Sequence, residues 1–187
     1  METITQALIM EHAVFRKVFD QIERVLTGPK SAPEVKSLAS VVEGLLRDHG
    51  ETEKDLAYSV LDHALADRGT LKRLYQDHHE IDDQFKRIHR TSDAAEALLL
   101  LKKALAETRE HFRREEKYVF PILEKTLQPE TLGTLGSKWT ESHAVSAVHD
   151  ACRCTTSFGR CGTPPSDSSG PGVLGFKEYV PASPRPS

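Results

Sequence analysis

The chain has 187 residues, 38% of them apolar, with 25 Lys and Arg against 28 Asp and Glu and a formal charge of −3. The positive side chains are interspersed with acids rather than gathered into a basic stripe, which argues against a nucleic-acid partner. No apolar run approaches the roughly 20 residues that a membrane span needs, so a soluble chain with one well-cored domain and residues to spare is expected.

The first predicted helix opens on Thr3 and Gln6, at the spacing of a capping box, and carries Leu8, Ile9, His12, Phe15, Phe19, Ile22 and Leu26 at steps of three and four. Gly28 and Pro29 end it. The second opens on Ser31 and Glu34, with Pro33 near the first turn where its missing N–H costs little. Its stripe runs through Leu38, Val42, Leu45, His49, Glu53, Leu56 and Val60. Gly44 and Gly50 should each weaken this helix by about 1 kcal/mol relative to Ala, and Gly50, beside His49, leaves room for a neighbouring backbone or a small molecule.

The third helix carries Leu71, Leu74, His78, Ile81, Phe85 and Ile88. Consecutive residues point about 100° apart, so His78 shares that stripe and His79 falls on the flank. The fourth begins at Asp93 and Glu96 and runs through Leu98, Leu101, Leu105, His111, Glu115, Tyr118 and Ile122, with Pro121 expected to kink or fray its last turns. Short connections between long amphipathic helices favour antiparallel neighbours. The expected fold is all-α, an up-down-up-down four-helix bundle over residues 1–132. From residue 133 the periodicity fails, and six of the ten prolines lie beyond residue 161. Residues 133–187 are expected to form a disordered, low-complexity tail, with at most a helical stub near Lys138 to His149. The three cysteines, Cys152, Cys154 and Cys161, all lie in it and lack the paired C-x-x-C spacing of structural zinc sites. A first half and middle without cysteine, and an acidic start at Glu2, point to the reducing cytoplasm.

Two stretches echo each other. His49 and Glu53 are followed by Tyr58 and Leu61; His111 and Glu115 are followed at the same offsets by Phe120 and Leu123. A four-residue step turns about 400°, so each His and Glu share one helix face. A second echo matches Glu11, His12, Phe15, Phe19 and Ile22 with Asp77, His78, Ile81, Phe85 and Ile88. Four helices thus each place one His on the apolar stripe, and two of them add a Glu.

Imidazole and carboxylate without thiolate suit iron, manganese or zinc. His12, His49, Glu53, His78, His111 and Glu115 are too many donors for one tetrahedral zinc. They would supply two metals, with both glutamates bridging and two imidazoles on each, and leave a position for a small molecule. The plainer reading is that these histidines are core residues bonded to Glu53 and Glu115, holding helices in register. One such pair would favour that reading. Two matched pairs favour metal, because unpaired buried charge costs several kcal/mol. No general acid, base or substrate pocket is legible beyond these groups, so no catalytic residue is assigned.

The ordered set His12, His49-x-x-x-Glu53, His78, His111-x-x-x-Glu115, with Phe120-Pro121 after the last pair, resembles the haemerythrin-like family, the HHE cation-binding domains, over roughly residues 1 to 130. The resemblance implies a helical bundle around a non-haem centre of two iron ions, oxo- or hydroxo-bridged, held by those six side chains. It implies a protein that binds, senses or redox-processes dioxygen, nitric oxide or peroxide, served by an unidentified reductase or protein partner. Alternatives are an iron-sensing or iron-handling module and a metal-free structural bundle. Two departures stand out: Leu74 occupies the position of the oxygen carriers' fifth His, and Glu115 follows His111 by four residues where they have an Asp at five. Redox chemistry is therefore the firmer expectation than reversible oxygen carriage. Some relatives place a phenol near the metals; Tyr58 lies nine residues after His49, on the opposite side of an ideal helix, whereas Tyr118, seven after His111, is better aimed and expected in the core.

Overall fold

The three expected helix starts form because their side chains satisfy the N–H groups that the first turn leaves unpaired. In the computed structural model, which describes residues 2–64 and 69–155 (side chains for 2–61 and 72–143), every regular element is helical. Thr3 and Gln6 close a reciprocal capping box on α1 (Ile4–Val25), and Ser31 and Glu34 do so on α2 (Ala32–Glu53). Asp93 accepts the Ala95 N–H at 2.8 Å to start α5 (Ala94–Arg114).

The chain does not leave the helical path after α2 or after α5. Lys54 and Glu115 keep right-handed helical dihedrals, and each rod passes through a π-helical turn, Lys54–Tyr58 or Glu115–Val119, into α3 (Ser59–Ala64) or α6 (Phe120–Thr126). A π turn holds one extra residue, so the residues beyond it are rotated by about 100° from an ideal helix. Tyr58 then counts as the eighth residue after His49 rather than the ninth, and swings from about 180° to about 80° from it. It is fully buried, as is Phe120 at the same offset in the other rod. The same shift turns Tyr118 outward: it is 47% exposed, against the expectation of a core position. Pro121 falls in the first turn of α6, where a missing N–H is tolerated, so the rod continues instead of fraying.

The remaining long rods are α4 (Gly69–Arg90) and α7 (Pro129–Thr155). α4 packs against α5 and α2, α2 against α5, and α1 against α5, α6 and α7. Apolar side chains gather in two clusters. One centres on Phe15, Phe19, Val42, Phe85, Leu101 and Phe112. The other contains Ile4, Leu8, Tyr58, Leu74, Phe120 and Leu123. Each such side chain contributes about 1.5–3 kcal/mol when buried, and on the rods of α1, α2, α4 and α5 the histidines and glutamates fall where the two sets meet.

Two expectations are corrected. On α2 the inner face is set by Val35, Ala39, Val42, Leu46 and His49; Leu45 lies about 80° from its centre and is 37% exposed. The loss of periodicity predicts a disordered tail from residue 133 with at most a stub at Lys138 to His149, yet α7 runs from Pro129 to Thr155. Leu132, Leu135 and Trp139 pack into the cluster of Ile4 and Leu8. Gly136 permits this closeness: a Cβ there would lie 2.2 Å from the Glu2 carbonyl oxygen and 2.9 Å from the Thr3 carbonyl carbon. The expected disorder of the tail concerns residues from 156 on, outside the described ones, as does Cys161. No helix among the described residues is long and apolar enough to cross a membrane.

Candidate metal centre

All six expected side chains are buried and converge on one layer between the apolar clusters. The Nε2 atoms of His12 and His49 are 3.3 Å apart, and those of His78 and His111 2.7 Å. Glu115 spans the pairs, with Oε2 3.5 Å from His12 Nε2 and Oε1 2.8 Å from His111 Nε2. Glu53 does likewise, its Oε2 3.8 Å from His49 Nε2 and 3.9 Å from His78 Nε2. The donors form two groups, His12, His49, Glu53 and Glu115, and Glu53, His78, His111 and Glu115, each with one donor atom per residue lying within 4.8 Å of the rest. Two imidazoles bound at right angles to a cation at about 2.1 Å have nitrogens about 3.0 Å apart; the observed separations bracket that value.

The carboxylates are short of donors. Both oxygens of Glu53 and Oε2 of Glu115 are buried with no hydrogen-bond partner, which costs about 1–3 kcal/mol or more per group. A cation between them would remove that cost. The other Glu115 oxygen, Oε1, accepts from the Tyr58 hydroxyl, whose nearness also partly lowers the Glu53 carboxyl. In the other rod the residue at Tyr58's offset is Phe120, which has no hydroxyl to give, so the shortage falls on Glu53.

Charge in the layer is correspondingly uneven. Burial, and then the charge of Glu115, push Glu53 well above the usual carboxylate range. Burial opposes ionisation of Glu115 too, but His111, with His12 and His49, together outweigh it and hold Glu115 low. His111 is penalised by burial yet raised to about 9 by Glu115 and Asp77. Burial, then His111, drive His78 well below its ordinary value, and burial lowers His12 against the pull of Glu116. Burial, then Glu115 and Glu53, raise the Tyr58 phenol.

A ring of acids holds the histidines from behind. Glu11 Oε2 lies 2.8 Å from His49 Nδ1, and Glu116 Oε1 3.0 Å from His12 Nδ1 and 2.8 Å from an Arg16 nitrogen. Asp77 approaches His111 Nδ1 at 3.6 Å, too long for a hydrogen bond, and is itself held by Arg114 and by Arg73 at 2.9 Å. A carboxylate on Nδ1 keeps the hydrogen there and leaves the Nε2 lone pair facing the centre. The acid preceding the histidine of α1 thus holds the histidine of α2, while its counterpart on α4, Asp77, lies near the histidine of α5 without bonding it. Sequence reasoning detects the repeated pairs Glu11-His12 and Asp77-His78 but does not read their acids as these partners. It misses Glu116 as well. His79 is exposed, on the flank as expected.

A small, mostly apolar cavity abuts the layer between α2, α4 and α5, lined by Leu46, His49, Gly50, His78, Asp82 and Thr108 among others. The centre of a water-sized sphere has about 20 Å³ there, room for about one such molecule. Gly50, with no side chain, forms part of its wall. Leu74, at the position of the oxygen carriers' fifth imidazole, belongs to the apolar cluster instead.

A family model described as the hemerythrin HHE cation binding domain matches the chain over residues 3–123 and again over residues 69–154. Neither the curated proteins nor the solved structures include a match. The buried imidazoles and carboxylates suggest metal binding on their own chemistry, and with a match over most of its length the chain belongs to the hemerythrin HHE cation-binding domain family.

Proposed function

We propose that His12, His49, Glu53, His78, His111 and Glu115 hold two iron ions inside an antiparallel four-helix bundle formed within residues 1–132, and that the centre binds, senses or redox-processes dioxygen, nitric oxide or peroxide. The observation that carries this is the pair of four-donor groups sharing two glutamates whose buried oxygens lack donors. His12 and His49 would hold one ion and His78 and His111 the other, with Glu53 and Glu115 available to both. The ions, when bound, supply redox equivalents and open coordination positions.

The chain's own residues prepare that chemistry. Glu11 and Glu116 orient His49 and His12 by their Nδ1 atoms. Tyr58 keeps its proton and donates it as a hydrogen bond to Glu115 Oε1. The small, mostly apolar cavity beside His49, His78 and His111 has room for a guest of few atoms. With no imidazole at position 74, redox processing is favoured over reversible carriage. The lack of cysteine before Cys152 fits work in a reducing cytoplasm.

The test is an iron-to-protein ratio on anaerobically purified protein, with absorption spectra before and after nitric oxide or hydrogen peroxide. About two irons per chain, near-ultraviolet bridge absorption in the oxidised form and a spectral response to one of the ligands are expected. A ratio near zero refutes the reading. The orphaned Glu53 oxygens favour one second reading, an iron sensor whose fold is stabilised by metal and read by a partner; iron-dependent melting with no response to either ligand would select it.

A further inference from the structure

α7 carries none of the six donors, yet one of its side chains reaches the layer. His143 Nε2 lies 3.1 Å from Glu11 Oε1, and the other oxygen of that carboxylate is the one 2.8 Å from His49 Nδ1. Glu11 therefore bridges two imidazoles, one of the centre and one of α7. A carboxylate only accepts, so the hydrogen in each bond belongs to the imidazole. The His143 ring is itself fixed: it stacks on Trp139 with centroids 4.1 Å apart, and its Nδ1 faces the Trp139 carbonyl at 2.9 Å and the Ser142 hydroxyl at 3.3 Å.

The position repeats a spacing. His78 follows His12 by 66 residues and His143 follows His78 by 65, while the second family match begins 66 residues after the first and extends to residue 154, through α7. The two halves then differ in what stands behind the acid. Asp77, the counterpart of Glu11, is held by the guanidinium groups of Arg73 and Arg114; Glu11 is held by an imidazole on a separate helix.

Resting on the reading of the layer as a metal centre, we propose that His143 is a positioning residue for the cation held by His12 and His49: by donating to Glu11 it aims that carboxylate at His49 Nδ1 and makes tight binding at that position depend on the docking of α7. A carboxylate held by one partner alone can turn away; held at both oxygens it keeps the His49 ring in the orientation that presents Nε2. Partners of this kind are worth about 10–100-fold in metal affinity. The dependence is one-sided, because His143 bonds Glu11 alone, while Asp77 on the side of His111 is held by Arg73 and Arg114.

The experiment titrates cobalt(II), whose visible absorption reports its donors, into metal-free full-length protein. His143→Phe keeps a ring to stack on Trp139 but cannot donate; His143→Gln donates without the ring. Wild type should take up two cobalt ions. The Phe variant should bind one of them about 10-fold more weakly, with that ion's visible band altered and the other unchanged, and the Gln variant should recover most of the loss. Equal loading and spectra in wild type and the Phe variant overturn the proposal. So does an equal loss in the Phe and Gln variants, or weakening of both ions together, since either would trace the effect to α7 packing. A wild type that takes up no cobalt overturns the metal reading itself, a result distinct from normal wild-type loading with an unaffected variant.

Discussion

Glu53→Gln should strengthen the metal-free protein while disabling its centre. Glu53 is fully buried, neither oxygen has a donor, and burial with the charge of Glu115 raises its carboxyl well above the usual range. The folded chain therefore keeps a proton there that the unfolded chain releases above about pH 4.3. Where the native state binds more protons than the unfolded one, stability falls as pH rises, by about 1.4 kcal/mol per unit for one group. Between pH 5.5 and 7.0 that removes at most about 2 kcal/mol from wild type and nothing from the Gln variant, a relative gain of up to about 4–8 °C in Tm for a chain of this length. The assay is thermal or urea unfolding of chelator-treated protein at both values. His111, raised to about 9, also loses its contribution as pH climbs from about 6.5 through 9, but it is present in both proteins and leaves the difference between them to Glu53. On the proposed function, adding iron should reverse the sign, since the variant lacks a carboxylate that would hold it. A difference that does not change with pH, or a variant less stable than wild type without metal, would refute the reasoning.

Tyr58→Phe removes the donor to Glu115 Oε1 and should cost the metal-free protein about 1.5–3 kcal/mol, while iron content holds and the iron-loaded spectrum shifts; unchanged stability would count against that bond. Gly136→Ala drives a methyl into the Glu2 carbonyl and should cost about 1–3 kcal/mol as α7 is displaced, read by unfolding and by fluorescence of Trp139, the one tryptophan in the chain. Thr108→Leu fills the cavity beside His49 and His111; stopped-flow mixing with peroxide or nitric oxide should slow about 10-fold or more at unchanged iron content, and an unchanged rate would place the entry route elsewhere.

Much of the fold and of the centre is legible in the sequence because the signals are local. Thr3 with Gln6, Ser31 with Glu34 and Asp93 mark helix starts through chemistry confined to one turn. His and Glu four apart keep their face whatever the rod packs against, which is why the six converging side chains are readable from spacing. What escapes is set by events that spacing assumes away. A π turn inserts a residue without a sequence mark, so spacing alone puts Tyr58 opposite the centre and Tyr118 inside it, each the reverse of the structure. Among the described side chains the apolar face of α7 rests on Leu132, Leu135 and Trp139, interrupted by glycines that count against a helix; Gly136 is there for backbone contact with Glu2 and Thr3, which is a tertiary reason. Glu11, Asp77 and Glu116 escape notice because a histidine's second nitrogen finds its acid on another rod.

The two rings that the π turns swing inward, Tyr58 over His78 at 5.9 Å and Phe120 over His12 at 5.7 Å, are near copies that differ by one oxygen atom. That oxygen breaks the twofold likeness of the layer: a phenol stands beside His78 and a bare benzene ring beside His12. Exchanging the residues, Tyr58→Phe with Phe120→Tyr, would move the one hydroxyl to the opposite half without altering volume, so the layer's single phenolic donor would stand beside His12 instead of His78.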